Sequence, residues 1–315
     1  MNKQPLKTEF FKKIIYIAAA ISCFTPYISP PIALLMGVLL SQILINPFRK
    51  YTSKTTKILL QSSVVGLGFG MNIFEAAKAG QDAIMFTIAT IGLTILLGII
   101  AGKWLAVNRK AAMLISVGTA ICGGSAIAAV SPIIEANENE ISVSLGIVFL
   151  LNTLALFIFP LIGHVINISQ AQFGWWAAIA IHDTSSVVGA AHSYGEAALQ
   201  IATTIKLERA LWIIPVSLVT AFMFKTSSRK IAIPYFIFLF IAAMAANTFI
   251  PQIQPFGEII VFLSKKGLTL TLFLIGTGIT RSAIKAVGLR PFLLGILLWT
   301  AISISSLLVI LQTIP

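Results

Sequence analysis

Gly118-Thr-Ala-Ile-Cys122-Gly-Gly-Ser125-Ala-Ile-Ala-Ala-Val130-Ser-Pro132 lies in an apolar segment bounded by Lys110 and Glu135, yet its middle is poor helix. A Gly in a helix interior costs about 1 kcal/mol relative to Ala, and Ser125, directly after the Gly pair, is a good N-cap. The run from Ala111 to Ile134 is long enough at helical rise to cross ~30 Å of hydrocarbon, with Cys122 and Gly123 at its centre. Two half-helices meeting at the bilayer midplane follow from this. Irregular backbone at that depth is tolerated only where it is buried in protein or lines a cavity, and secondary transporters build substrate sites in this way. Small residues that let two membrane helices pack closely would give the same composition.

The surrounding chain fits that setting. Of 315 residues, 57% are hydrophobic and 10% charged, with a mean hydropathy of +0.96, which identifies a polytopic membrane protein. The formal net charge of +12 sits in short clusters between apolar segments and not along one polar face, so it marks topology and not nucleic-acid binding. Cys23 and Cys122 both fall within apolar runs, which indicates neither a disulfide framework nor a metal cluster. Lys3, Lys7, Lys12 and Lys13 precede an apolar stretch without a clear small-residue cleavage site, as in an uncleaved first helix.

Apolar segments recur at roughly 14–29, 32–46, 57–74, 83–102, 111–134, 141–162, 171–192, 200–224, 231–250, 257–280 and 289–312, giving about eleven transmembrane helices. The basic connections fall on alternate sides of this count, which places them and the N-terminus in the cytoplasm. The acidic loop Glu135, Glu138, Glu140 and the C-terminus then lie outside. The connection around His164 to Gln172, without Lys or Arg, is inside by parity alone.

Gly118-Thr-Ala-Ile and Ser125-Ala-Ile-Ala-Ala-Val130 match Gly276-Thr-Gly-Ile and Ser282-Ala-Ile-Lys-Ala-Val287; with one gap, eight of twelve aligned pairs are identical. In an eleven-span topology these segments run oppositely, so the expected fold is all-α: one integral membrane domain over 1–315, with inverted repeats 32–168 and 169–315 of five helices each. A discontinuous helix in each repeat meets the other at the midplane.

Ala120-Ile-Cys-Gly-Gly-Ser-Ala126, His182-Asp-Thr-Ser-Ser-Val-Val-Gly-Ala-Ala191, Lys206-Leu-Glu-Arg209 and Gly276-Thr-Gly-Ile-Thr-Arg281 with Lys285 together resemble, in order along nearly the whole chain, the YeiH-type family of bacterial membrane proteins, which carries a sulfate-exporter label. The resemblance implies membership of the cation:proton antiporter and anion transporter superfamily, whose discontinuous helices cross at the midplane, and a location in the bacterial inner membrane. Where that family's second motif has Glu after His, this chain has Asp183.

Asp183 is the one carboxylate near the centre of an apolar run, with His182 before it; at about 2.5 to 3.5 kcal/mol for insertion, such a group faces a cavity or a partner. A proton or cation relay and a buried pair that only orders helices are both consistent with it. Lys206 and Arg209 share a helical face, either as counter-charges of Asp183, as a basic vestibule, or as a solvated helix end. The candidate substrate residues are Cys122, Gly123, Gly124, Ser125, Thr184, Ser185, Ser186, Gly276, Thr277, Gly278 and Arg281; the coupling candidates are His182, Asp183, Lys206 and Arg209. No P-loop, HExxH or GxSxG occurs, so ATP is not the direct energy source and no enzyme, cofactor or metal is indicated. The expected activity is secondary transport of a small anion such as sulfate or a sulfonate, coupled to a proton or other ion, with a homodimer left open. A carrier in which Asp183 binds the cation is the alternative, and a membrane-embedded enzyme or sensor is the third.

Overall fold

A computed structural model describes residues 4–44, 46–224, 235–278 and 288–314. Among them every regular element is helical. Among the described residues, five helices are both long and apolar enough to cross a membrane: Ala83–Trp104, Asn139–Val165, Glu196–Phe224, Pro251–Gly278 and Leu289–Thr313. Shorter apolar helices accompany them, and the chain divides into two compact units.

The first unit holds α1 (Gln4–Ser22), α2 (Pro30–Ile43), α3 (Arg49–Leu67), α12 (Tyr235–Phe249) and α13 (Gln254–Gly278). α13 packs along α2 and α3 through small residues. A Cβ on Gly276 would run into the backbone of Leu34 and Val38, and one on Gly37 into that of Phe273 and Thr277, so the two glycines let α2 and α13 touch at the backbone. The break expected between Gly276-Thr-Gly-Ile and Ser282 falls on residues outside the described ones. α13 continues through Gly278, where Thr277 donates to the Leu274 carbonyl at 2.7 Å and accepts from Asn46 at 3.1 Å. Its small residues serve a helix crossing. Arg281 and Lys285 lie outside the described residues.

The second unit holds α4 (Ile73–Trp104), α5 (Arg109–Ala120), α6 (Gly124–Val130), α7 (Glu138–Val165), α8 (Gln170–Ala180), α9 (Thr184–Tyr194), α10 (Glu196–Leu211), α11 (Ile213–Phe224) and α14 (Leu289–Thr313). α5 and α8 have 12 and 11 residues, so each rises only ~17 Å, about half of a hydrocarbon core. Neither continues to the far side. The Glu135 carbonyl, reached after α6, accepts from Lys110 Nζ at 2.6 Å, and Ser144 on α7 reaches the Ala111 carbonyl at 3.5 Å. α6 has therefore returned the chain to the end at which α5 began. Likewise Tyr194, at the end of α9, donates to the Ile168 carbonyl at 2.7 Å and stacks on Phe173 with ring centroids 3.8 Å apart. Ala197 N–H then donates to Gln170 at 3.0 Å.

Both segments, 111–134 and 171–192, are thus helical hairpins and not spans, which corrects the count of eleven crossing helices. The first hairpin starts beside the beginning of α7. The second starts beside its end, where His164 stacks on Tyr194 at 4.4 Å. A hairpin followed by a long helix therefore occurs twice in this unit, in 109–165 and in 170–224, and the two copies enter from opposite ends. Ala120-Ile-Cys-Gly-Gly-Ser125 and Ala180-Ile-His-Asp-Thr-Ser185 occupy the two turns, sharing Ala, Ile and Ser at a constant offset.

Candidate functional site

The two tips meet. At the first, α5 ends at Ala120 and the chain reverses through Ile121, Cys122 and Gly123, whose φ of +66° and ψ of −124° belong to glycine alone. A Cβ there would lie 3.3 Å from the Cα of Asp183 and 3.2 Å from Val148. Gly123→Ala is accordingly expected to cost about 1 to 3 kcal/mol through backbone strain plus crowding of Asp183; the midpoint of thermal unfolding in detergent measures it, and an unchanged midpoint would contradict the contact.

At the second tip, α9 is capped by Asp183, whose Oδ2 accepts from Ser185 N–H at 3.1 Å, Ser186 N–H at 3.4 Å and the Ser185 hydroxyl. The carboxylate so meets the positive end of its own helix, which stabilises its charge. Before it, the N–H groups of His182 and Asp183 donate to Asn152 Oδ1 at 3.0 and 3.3 Å. Asn152 stands at the middle of the 28-residue α7, ~20 Å from either end. The tips are therefore at mid-depth of the unit.

Two buried cations close the arrangement from α10. Lys206 Nζ donates to the carbonyls of Ile181 at 2.8 Å and Ala178 at 3.2 Å, at the end of α8. Arg209 donates to the Ala120 carbonyl at the end of α5 and, through its other terminal nitrogen, to Thr90 Oγ1 on α4 at 2.8 Å. Both side chains are 0% exposed, which rules out a solvated helix end, and they bind carbonyls at helix C-termini where the dipole favours positive charge. Glu208 is directed elsewhere, accepting from Thr87 and Trp212 at 2.8 Å each.

The tips thus gather Cys122, Gly123, His182, Asp183, Thr184, Ser185, Ser186, Lys206 and Arg209. Gly124 and Ser125 open α6, with Ser125 exposed. Gly276, Thr277 and Gly278 belong to the first unit. Asn152, Thr90 and Thr119 were missed. For Asn152 a signal existed, an amide alone in Phe149-Leu-Leu-Asn-Thr-Leu-Ala. For Thr90 and Thr119 there was none, since hydroxyls that bond their own helix are common in apolar helices.

Long apolar helices, and in the second unit two hairpins whose tips meet, define a polytopic helical membrane protein. The chain belongs to the family described as Conserved hypothetical protein 698, whose profile matches residues 13–295. A UPF0324 membrane protein of Porphyromonas gingivalis is 53% identical over 292 residues, 91% of this chain and 88% of that protein. One of Bacteroides thetaiotaomicron is 48% identical over 300 residues, with 95% and 91% covered, and one of Vibrio parahaemolyticus 49% over 301 residues, with 94% and 97% covered. No solved structure matches the chain.

Proposed function

We propose that this protein is a secondary transporter of the bacterial inner membrane that carries a small anion of the sulfate or sulfonate class and catalyses no covalent chemistry. The observation that carries the proposal is the meeting of the two hairpin tips at Gly123 and Asp183 beside two buried cations, Lys206 and Arg209. Non-helical backbone at mid-depth is stable only in protein or along a cavity, and hairpins that enter from opposite ends offer one such place to both sides in turn. The YeiH-type resemblance supports the anion class. Coupling belongs to Asp183, where the three donors fall on Oδ2 and Oδ1 is left for a proton or cation.

The hairpins also revise the orientation. With 111–134 and 171–192 returning to the side they entered, nine crossings remain, and the basic connections still share the cytoplasmic side. The loop of Glu135 to Glu140 then joins them, and the lysine-free loop of His164 to Gln172 lies outside. The N-terminus is cytoplasmic and the C-terminus external.

In proteoliposomes the wild type is expected to take up radiolabelled sulfate or a small sulfonate faster when a pH gradient is imposed. Asp183→Asn should retain uptake down the anion's own gradient and lose the response to pH. Absence of flux for every anion tested would refute transport, and a pH response intact in Asp183→Asn would refute this coupling residue.

A further inference from the structure

Among the described residues, seven buried side-chain nitrogen or oxygen atoms have no hydrogen-bond partner, and five of them lie on residues of the two tips and their supporting helices. They are Thr119 Oγ1, Asn152 Nδ2, His182 Nδ1 and Nε2, and Arg209 Nε. Their residues are 1%, 2%, 0% and 0% exposed, so bulk water does not satisfy them. A buried polar group without a partner costs about 1 to 3 kcal/mol, and several of them grouped together call for an occupant.

The chemistry of these atoms restricts that occupant. Asn152 Oδ1 is engaged by two backbone N–H groups, which fixes the amide so that Nδ2 presents only donors. Arg209 has its two terminal nitrogens bound to Thr90 and Ala120, leaving Nε–H, again a donor only. Thr119 supplies a hydroxyl, which donates or accepts, and the His182 ring at least one N–H. The four residues are linked through the two tips: Asn152 holds the backbone of His182, Arg209 holds the carbonyl next to Thr119, and Gly123 abuts Asp183. Asp183, next to His182 in the chain, has Oδ2 turned onto the start of α9.

We infer that Thr119, Asn152, His182 and Arg209 form the binding site of a fully deprotonated oxyanion, sulfate or a sulfonate, which accepts from these donors and has no proton of its own to place. This rests on the transport reading for its substrate class and goes beyond it in assigning Thr119 and Asn152, with His182 and Arg209, to the anion.

The test uses the whole chain in nanodiscs, titrated with sodium sulfate or sodium methanesulfonate, with sodium chloride at matched ionic strength as control. Heat of binding and thermal stabilisation are read. The wild type should show saturable stabilisation by sulfate or methanesulfonate beyond the chloride control. Asn152→Asp keeps the acceptor for the two backbone N–H groups and replaces the donor by a negative acceptor; its affinity should fall at least 30-fold. Thr119→Val, nearly isosteric, should weaken binding about tenfold and guards against a misfolded Asn152→Asp. Equal affinity in all three proteins, or no saturable response of the wild type to either anion, overturns the site; in the latter case ordered water alone satisfies the donors. Flux in proteoliposomes separates the two levels. Wild-type KM for sulfate in both variants removes the site and leaves transport standing, whereas binding without flux of any anion retains the site and removes transport.

Discussion

A cysteine placed at Asn139 is expected to react with a membrane-impermeant maleimide from the same side of the membrane as one at Lys103, and a cysteine at Ile166 only from the other. Position 139 opens α7 one turn from the Glu135 carbonyl that binds Lys110, so it shares the end of the unit where α4 finishes. Position 166 follows α7, whose 28 residues span ~42 Å, more than the hydrocarbon thickness. Cys23 and Cys122 are buried, which keeps the background low. The effect is all-or-none in intact cells against inverted vesicles. Labelling of 139 from the side opposite to 103 would turn the first hairpin back into a span.

The second large effect concerns Arg209. Its guanidinium joins α10 to the first hairpin at Ala120 and to α4 at Thr90, two directions that a planar fork meets at once and a single ammonium does not. Arg209→Met removes a buried charge, which relieves desolvation, and leaves the Ala120 carbonyl unpaired, which costs about 1 to 3 kcal/mol. These terms oppose each other, so the change in unfolding midpoint should be modest while flux falls at least tenfold. Arg209→Lys should lose flux nearly as much. Wild-type flux in Arg209→Met would show that the link between α10 and the hairpin is dispensable.

Much of the site was legible because its chemistry is expensive in an apolar run: Gly123-Gly124, His182-Asp183, Lys206 and Arg209 stand out for this reason. The path of the chain was not. An apolar run such as Ala111 to Ile134 has the same length whether it crosses once or enters halfway and returns, and only tertiary bonds such as Lys110 to Glu135 decide. The side of the acidic loop was taken from parity alone; in the structure Glu140 forms a capping box with Asn137 at the start of α7. The sequence match between Gly118 and Gly276 runs into Ile279 to Val287, outside the described residues, and small residues such as Gly276 suit a helix crossing as well as a tight turn. The copies that correspond in geometry share few residues. What they have in common is a reversal that one makes with a left-handed glycine, Gly123, and the other with a capping carboxylate, Asp183.

The cross-connection of hairpins and long helices sets an order for synthesis. The second hairpin leaves the ribosome when Asn152, which binds its tip, lies only 30 residues behind it. The first packs on α7 soon after it is made but gains its cation only later: Arg209 follows Ala120 by 89 residues, roughly 5 to 20 s of translation. Through that interval the Ala120 carbonyl lacks its cation, and a half-length hairpin is too short to settle across the bilayer alone. The first copy must therefore wait, at the interface or within the insertion machinery, for the end of the second. A chain truncated before Arg209 will hold its first hairpin in a protease-accessible state, and one extended past it will not.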